Sequence, residues 1–282
     1  MARPTPYTDV NDVLATWQAQ IEHTLARQLV GIYLSGSLAV GDFDPASSDI
    51  DLVVVTDGPI SAEQFTALSD LHTRFAGGGS PWAERIEAVY IPADVLRGPA
   101  APPDVRVPVI ERGGRLALDP LESGWSVQRY TLREHGVALV GPPPATLIDP
   151  VDPDEMRRSG AAISATWQEQ ATGDPSWLDW LRPRRNQAFV VLTLCRLLYT
   201  LELGGVASKP AAARWALATW GRPWAALIER VVADRDDPGT ITAEEERDTL
   251  ALMAYTAERF RQWLGIHGEP ARSGAGASGA LT

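Results

Sequence analysis
The chain has 282 residues, 45% of them hydrophobic and 22% charged, with a formal net charge of -11. That length and apolar content support a real core in one large or two ordinary domains. The acidic balance works against nonspecific nucleic-acid binding and against anionic membranes. Cys195 is the only cysteine, which excludes an intrachain disulfide and a zinc site built on several thiolates. With no apolar run of membrane-spanning length and no apolar leader in MARPTPYTDV, the expectation is a cytoplasmic monomer that engages neither membrane nor nucleic acid.

From the N-terminus, Val10, Val13, Leu14, Trp17, Ile21 and Leu25 follow helical spacing, with Asp9 as the expected cap. Residues 29–34 read as a strand ending in the turn Ser35-Gly36-Ser37. Residues 50–55, mostly β-branched, read as a second strand. Ser61-Ala62-Glu63-Gln64 is a capping box that opens a helix to about Phe75. After the loop Gly77-Gly78-Gly79, residues 85–91 form a third strand closed by Pro92. This order predicts an α/β (α+β) domain with a small mixed sheet over residues 1–150, closed by the stiff segment Gly141-Pro142-Pro143-Pro144.

Beyond it, residues 154–172, 185–204, 209–219, 223–233 and 243–264 read as helices, an all-α bundle over 151–265. Gly204-Gly205 stops one of them and Thr242-Ala243-Glu244-Glu245 caps the last. Seven of the ten tryptophans fall after residue 150 and are read as helix-packing residues. The Gly-, Ala- and Ser-rich tail, 266–282, has the composition of a disordered segment.

The chemistry concentrates in GSLAVGDFDPASSDIDLVVV, residues 36–55. Gly36 and Gly41 have the spacing of a P-loop, but Asp42-Phe43 follow where Lys-Ser or Lys-Thr should stand, and an aspartate there would repel phosphate. Asp49 and Asp51 project to one side of the second strand. Two carboxylates against an apolar strand are costly unless a cation sits between them. Magnesium, which takes one or two carboxylates plus substrate phosphates, fits. Glu87 adds a third acid from the next strand, completing a layout of metal-dependent phosphoryl or nucleotidyl transfer. Gly36 lets the backbone approach a phosphate, and Ser37 offers a hydroxyl and an N–H at a helix start. Lys209, at another helix start, is a flexible point charge suited to phosphate.

Gly36-Ser37…Asp49-Ile50-Asp51 resembles the signature of the DNA polymerase β-like nucleotidyltransferase superfamily. RYTLREHGVALVGPPPATLIDPV (129–151) and the stretch from Asn186 through CRLLYTLELGGVASKPAAARWAL (195–217) are similar to the streptomycin/spectinomycin adenylyltransferase family. The resemblance covers roughly residues 28–264. It implies an N-terminal nucleotidyltransferase domain, a C-terminal helical domain and an active site between them. It also implies transfer of AMP from ATP, with magnesium, to a hydroxyl of a small molecule, releasing pyrophosphate. Carried over by position, Ser37 and Ser48 contact ATP, Asp49 and Asp51 hold magnesium, Glu87 is the general base, and Lys209 reaches the phosphates. The family is acidic just before the asparagine aligned with Asn186, where this chain reads Arg184-Arg185. It also carries an aromatic residue that 113–120, GGRLALDP, lacks. A non-aminoglycoside acceptor is therefore the alternative within the family. An inactive nucleotide-binding, antitoxin-like regulator is the alternative outside enzymology.

Overall fold
A computed structural model of the chain describes residues 3–98, 105–111, 115–121, 124–220, 223–234 and 237–267. In chain order the sheet half contains α1 (Thr8–Leu25), β1 (Leu29–Leu34), α2 (Gly36–Val40), β2 (Ile50–Thr56), α3 (Ala62–Ala76), β3 (Ile86–Pro92), α4 (Ala93–Arg97), β4 (Arg106–Ile110), β5 (Ala117–Pro120), α5 (Trp125–His135) and β6 (Val137–Val140). The helical half contains α6 (Pro153–Gly173), α7 (Pro175–Leu181), α8 (Arg184–Leu203), α9 (Lys209–Trp220), α10 (Ala225–Asp234) and α11 (Ala243–His267).

The strands form one mixed sheet in the order β5-β4-β3-β2-β1-β6. β2 and β3 are parallel, joined by the crossover through α3, and the other pairs are antiparallel. Strand alternation then separates two cores. Ile50, Leu52, Val54, Ile86, Ala88 and Tyr90 pack on one face with Val10, Leu14, Trp17 and Ile21 of α1 and with Leu68 of α3. Val53, Val55 and Ile91 pack on the other with Trp125 and Leu132 of α5 and Met156 of α6. Asp51 and Glu87 share the parity of that second set, so they face the side on which the helical half is joined.

The capping box forms as expected: Gln64 N–H donates to Ser61 Oγ at 3.2 Å and Ser61 N–H to Gln64 Oε1 at 3.0 Å. Gly204, with φ +67, ends α8 in the left-handed conformation. Thr242 and Glu245 cap α11 reciprocally, at 3.2 and 2.6 Å. Asp9 does not cap α1: Tyr7 holds the N-cap position, and Asp9 lies in the first turn, where its carboxylate accepts from Val10 N–H and Trp82 Nε1–H. Sequence periodicity does not reveal α4, α7 or the short strands β4–β6. Of the expected tail, Ile266 and His267 belong to α11 and the remainder lies outside the described residues. Among the described residues no helix is long and apolar enough to cross a membrane.

Across the junction, fully buried Arg129 of α5 donates to Leu96 O at 3.1 Å and Arg97 O at 3.0 Å, and pairs with Glu155 of α6 at 3.0 Å. One side chain thus ties the end of the β3–α4 segment, α5 and the first helix of the bundle.

Candidate active site
The segment after β1 turns sharply into α2, then through residues 41–49 into β2. Gly36 has φ +55, and a Cβ there would lie 1.8 Å from Asp51 Oδ2. The glycine is therefore needed to admit the Asp51 carboxylate, a demand distinct from the approach of a phosphate. Ser37 N–H hydrogen-bonds that carboxylate, and Ser35 N–H donates to Asp51 O at 2.9 Å. In the parallel β2–β3 pair, Asp51 stands in register with Glu87.

Burial pushes the Asp51 carboxyl up to about 6, and the charge of Asp49 adds to the rise; Lys209, the Ser37 N–H and Arg196 pull the other way. Asp49 and two cations of the helical half, Lys209 and Arg196, thus lie within electrostatic range of the same carboxylate. Among the described residues, however, no three His, Cys, Asp or Glu side chains gather into a metal-sized cluster. Asp49 and Asp51 form the pair, with Glu87 in register beside Asp51. Two close aspartates whose mutual repulsion raises a pKa are a donor set that fits a hard divalent cation completing its shell with phosphate oxygens.

Ser48 precedes the pair, and its Oγ accepts from Asp44 N–H at 3.0 Å, leaving the hydroxyl proton to donate. Lys209 begins α9 with its Nζ 4.8 Å from the Phe189 ring centroid. Phe189 is 43% exposed and makes an edge contact with Trp180, also 43% exposed. Trp180 is thus the exception among tryptophans read as packing residues; Trp167, Trp177, Trp215, Trp220, Trp224 and Trp263 lie against the helical core.

Arg196 escapes the sequence reading. It interrupts the apolar run VVLTLCRLLYTL of α8, and a charge at that place was the available signal. Its Nε donates to Ala207 O at 3.0 Å, which ties α8 to the segment leading into Lys209. The arginines at 182–185 divide. Arg182 pairs with Asp179 at 2.6 Å, and Arg184 is drawn into a network with Glu245 at 2.9 Å, Asp237 at 3.5 Å and Asp234 at 3.8 Å. Arg185 is exposed in the first turn of α8. A cavity of about 470 Å³ lies elsewhere, between α1 and α3, lined by Asp12, Thr16, Arg74 and Phe75, and carries none of these acids.

Two family profiles match, one on each half: a nucleotidyltransferase domain over residues 20–113, and the aminoglycoside adenylyltransferase C-terminal domain over 146–258. An aminoglycoside (3'') (9) adenylyltransferase of Escherichia coli is 29% identical over 276 residues, 93% of this chain and 96% of that protein. One of Shigella flexneri is 29% identical over 224 residues, 76% of this chain and 81% of its own. The crystal structure of spectinomycin adenyltransferase from Enterococcus faecialis with ATP and spectinomycin shares the fold, with a TM-score of 0.65 at 16% identity, covering 89% of this chain and 98% of that one. The chain is a nucleotidyltransferase enzyme, similar over nearly its whole length to the aminoglycoside adenylyltransferases.

Proposed function
We propose that the protein transfers AMP from ATP to a hydroxyl of a small aminoglycoside-type molecule such as streptomycin or spectinomycin, releasing pyrophosphate. The observation that carries this reading is the convergence on Asp51: a second carboxylate and the Ser37 N–H from the sheet half, and Arg196 and Lys209 from the helical half. Carboxylates on one side and cations on the other suit a metal-bound triphosphate lying between them.

Asp49 and Asp51 would hold magnesium, whose contribution is to neutralise charge on the phosphate oxygens. Lys209 and Arg196 would orient the phosphates, with Ser37 and Ser48 donating from the opposite wall. Glu87, in register beside Asp51, would take the proton of the acceptor hydroxyl as its oxygen attacks the α-phosphorus; the bond to the bridging oxygen breaks and pyrophosphate leaves. The exposed faces of Phe189 and Trp180 would border the acceptor. Residues 1–150 and 151–265 would act as separate domains that meet at this site.

The test is pyrophosphate release with ATP and magnesium across streptomycin, spectinomycin and unrelated polyols, with Glu87→Gln as the blank. Release with streptomycin or spectinomycin supports the reading to the level of the substrate. Intact ATP binding with no release for either antibiotic overturns the acceptor assignment. A second reading, a neutral or anionic acceptor, draws on exposed Arg185 one helical turn before Phe189; release with an uncharged or acidic polyol alone would favour it.

A further inference from the structure
Asp49 and Asp51 are held in place by different means. Asp51 belongs to β2, with Glu87 beside it in the ladder and its carbonyl taken by Ser35 N–H. Asp49 precedes the strand, at the end of the 41–49 loop, and its main chain has no place in the ladder. The position of the loop therefore decides where the Asp49 carboxylate stands.

That loop has an internal frame. Asp44 O accepts from Ser47 N–H at 3.2 Å and from Ser48 N–H at 2.8 Å, and Asp44 Oδ1 accepts from Ala46 N–H at 3.0 Å. Phe43 anchors the start of the loop in the core, and its end is attached to the sheet by Arg85, a buried side chain one residue before β3. Arg85 Nη1 donates to Pro45 O at 2.7 Å, and Nη2 donates to Ser48 O, the carbonyl of the peptide that joins Ser48 to Asp49. The guanidinium is itself fixed, lying 4.7 Å from the Trp82 ring centroid. Trp82 packs in turn on Phe43 of the same loop, with ring centroids 5.7 Å apart, and donates its Nε1–H to Asp9 at 2.7 Å.

We propose that Arg85 is a positioning residue for the metal pair: it clamps the Ser48–Asp49 peptide from the start of β3, so that the loop-borne carboxylate keeps its distance from the strand-borne one. The inference rests on the reading of Asp49 and Asp51 as metal ligands. A planar fork with two parallel donors can bridge two carbonyls while stacked on an indole, and a lysine ammonium cannot reproduce both contacts. Loss of a partner that orients a metal ligand typically lowers metal affinity about 10- to 100-fold.

The test uses the full chain without nucleotide, with manganese as a paramagnetic probe titrated by electron spin resonance, on the wild type, Arg85→Lys, Arg85→Met and Asp51→Asn. Amide hydrogen exchange is followed in parallel at Ser47 and Ser48. The expected result is about tenfold or greater weakening of manganese binding in Arg85→Lys, with faster exchange at both amides and protection in α11 unchanged. Should Arg85→Met fail to fold, Arg85→Lys carries the comparison. Wild-type manganese affinity in a folded Arg85→Lys, with Asp51→Asn unable to bind, overturns the positioning role and leaves the metal assignment standing. Wild-type binding by Asp51→Asn overturns both.

Discussion
Two ionic clusters in this molecule place similar carboxylates in opposite circumstances. At the start of the interior strand β2, half-buried Asp51 stands near another aspartate and its pKa rises to about 6. In the helical half Glu245 is buried, and burial again works to raise it. The Thr242 N–H and the Arg184 guanidinium outweigh that, and its pKa falls. Arg230 adds a second cation at 3.2 Å and, with Arg184, links α10 and α8 to α11. In one cluster the partners outweigh burial; in the other, burial and a neighbouring carboxylate outweigh the nearby cations and the Ser37 N–H, which is how a candidate binding site differs from a brace.

The sharpest separation comes from Asp51→Asn. Turnover is expected to fall to background, while melting in metal-free buffer at pH 8 rises by several degrees, since the like-charge burial is relieved; both are read by pyrophosphate release and calorimetry. A melting point that drops would make Asp51 a brace as well. Glu87→Gln should lower turnover by about 10²–10⁴-fold with ATP affinity retained in calorimetric titration, the range for loss of a general base. Retained turnover would remove Glu87 from that role. Glu245→Gln should cost stability, about 3 kcal/mol for breaking a buried ionic contact, and leave kcat/KM of the folded enzyme unchanged. Lys209→Met should raise the KM for ATP about 10-fold or more, as expected for a charge-assisted contact, with little change in the melting point without ligand.

The smallest effect separates the clusters by pH. With its pKa raised above the ordinary 3.8 to about 6, Asp51 favours the folded state when protonated; that contribution is present below about pH 4 and is lost as pH rises through 6. Glu245, shifted down, contributes above the ordinary carboxylate range, and its share is lost as pH falls through its folded pKa. Asp51→Asn should flatten the melting-point curve of the metal-free protein between pH 4 and 6, and magnesium should restore stability to the wild type above pH 6. Glu245→Gln should instead flatten the acid limb.

Much of this was legible where one local signal suffices. The β-branched run at 50–55, the Ser61–Gln64 capping box and the apolar periodicity of α8 need no partner to be read. Strands β4 to β6 were not legible. β4 contains Pro108, β5 is exposed along its length and β6 has four residues, so their pairing is set by neighbours far away in the chain. The same division holds at the candidate site. The aspartates announce themselves by spacing, whereas Arg85 and Arg196 gain their places only through contacts 37 residues away in one case and between the two halves in the other. Gly36 was singled out for its approach to a phosphate; the close approach seen in the structure is to Asp51.

β6 covers the outer side of β1, although 102 residues separate Val137 from its partner Leu34 at the end of that strand. A fragment ending at residue 113, where the nucleotidyltransferase profile stops, would keep the acids and their turn but leave the apolar β1 as an open sheet edge. Unpaired edges recruit other chains. Shortened forms of this protein are therefore expected to become soluble only once they extend past Val140, and a newly made chain carries that adhesive edge until α5 and β6 have followed.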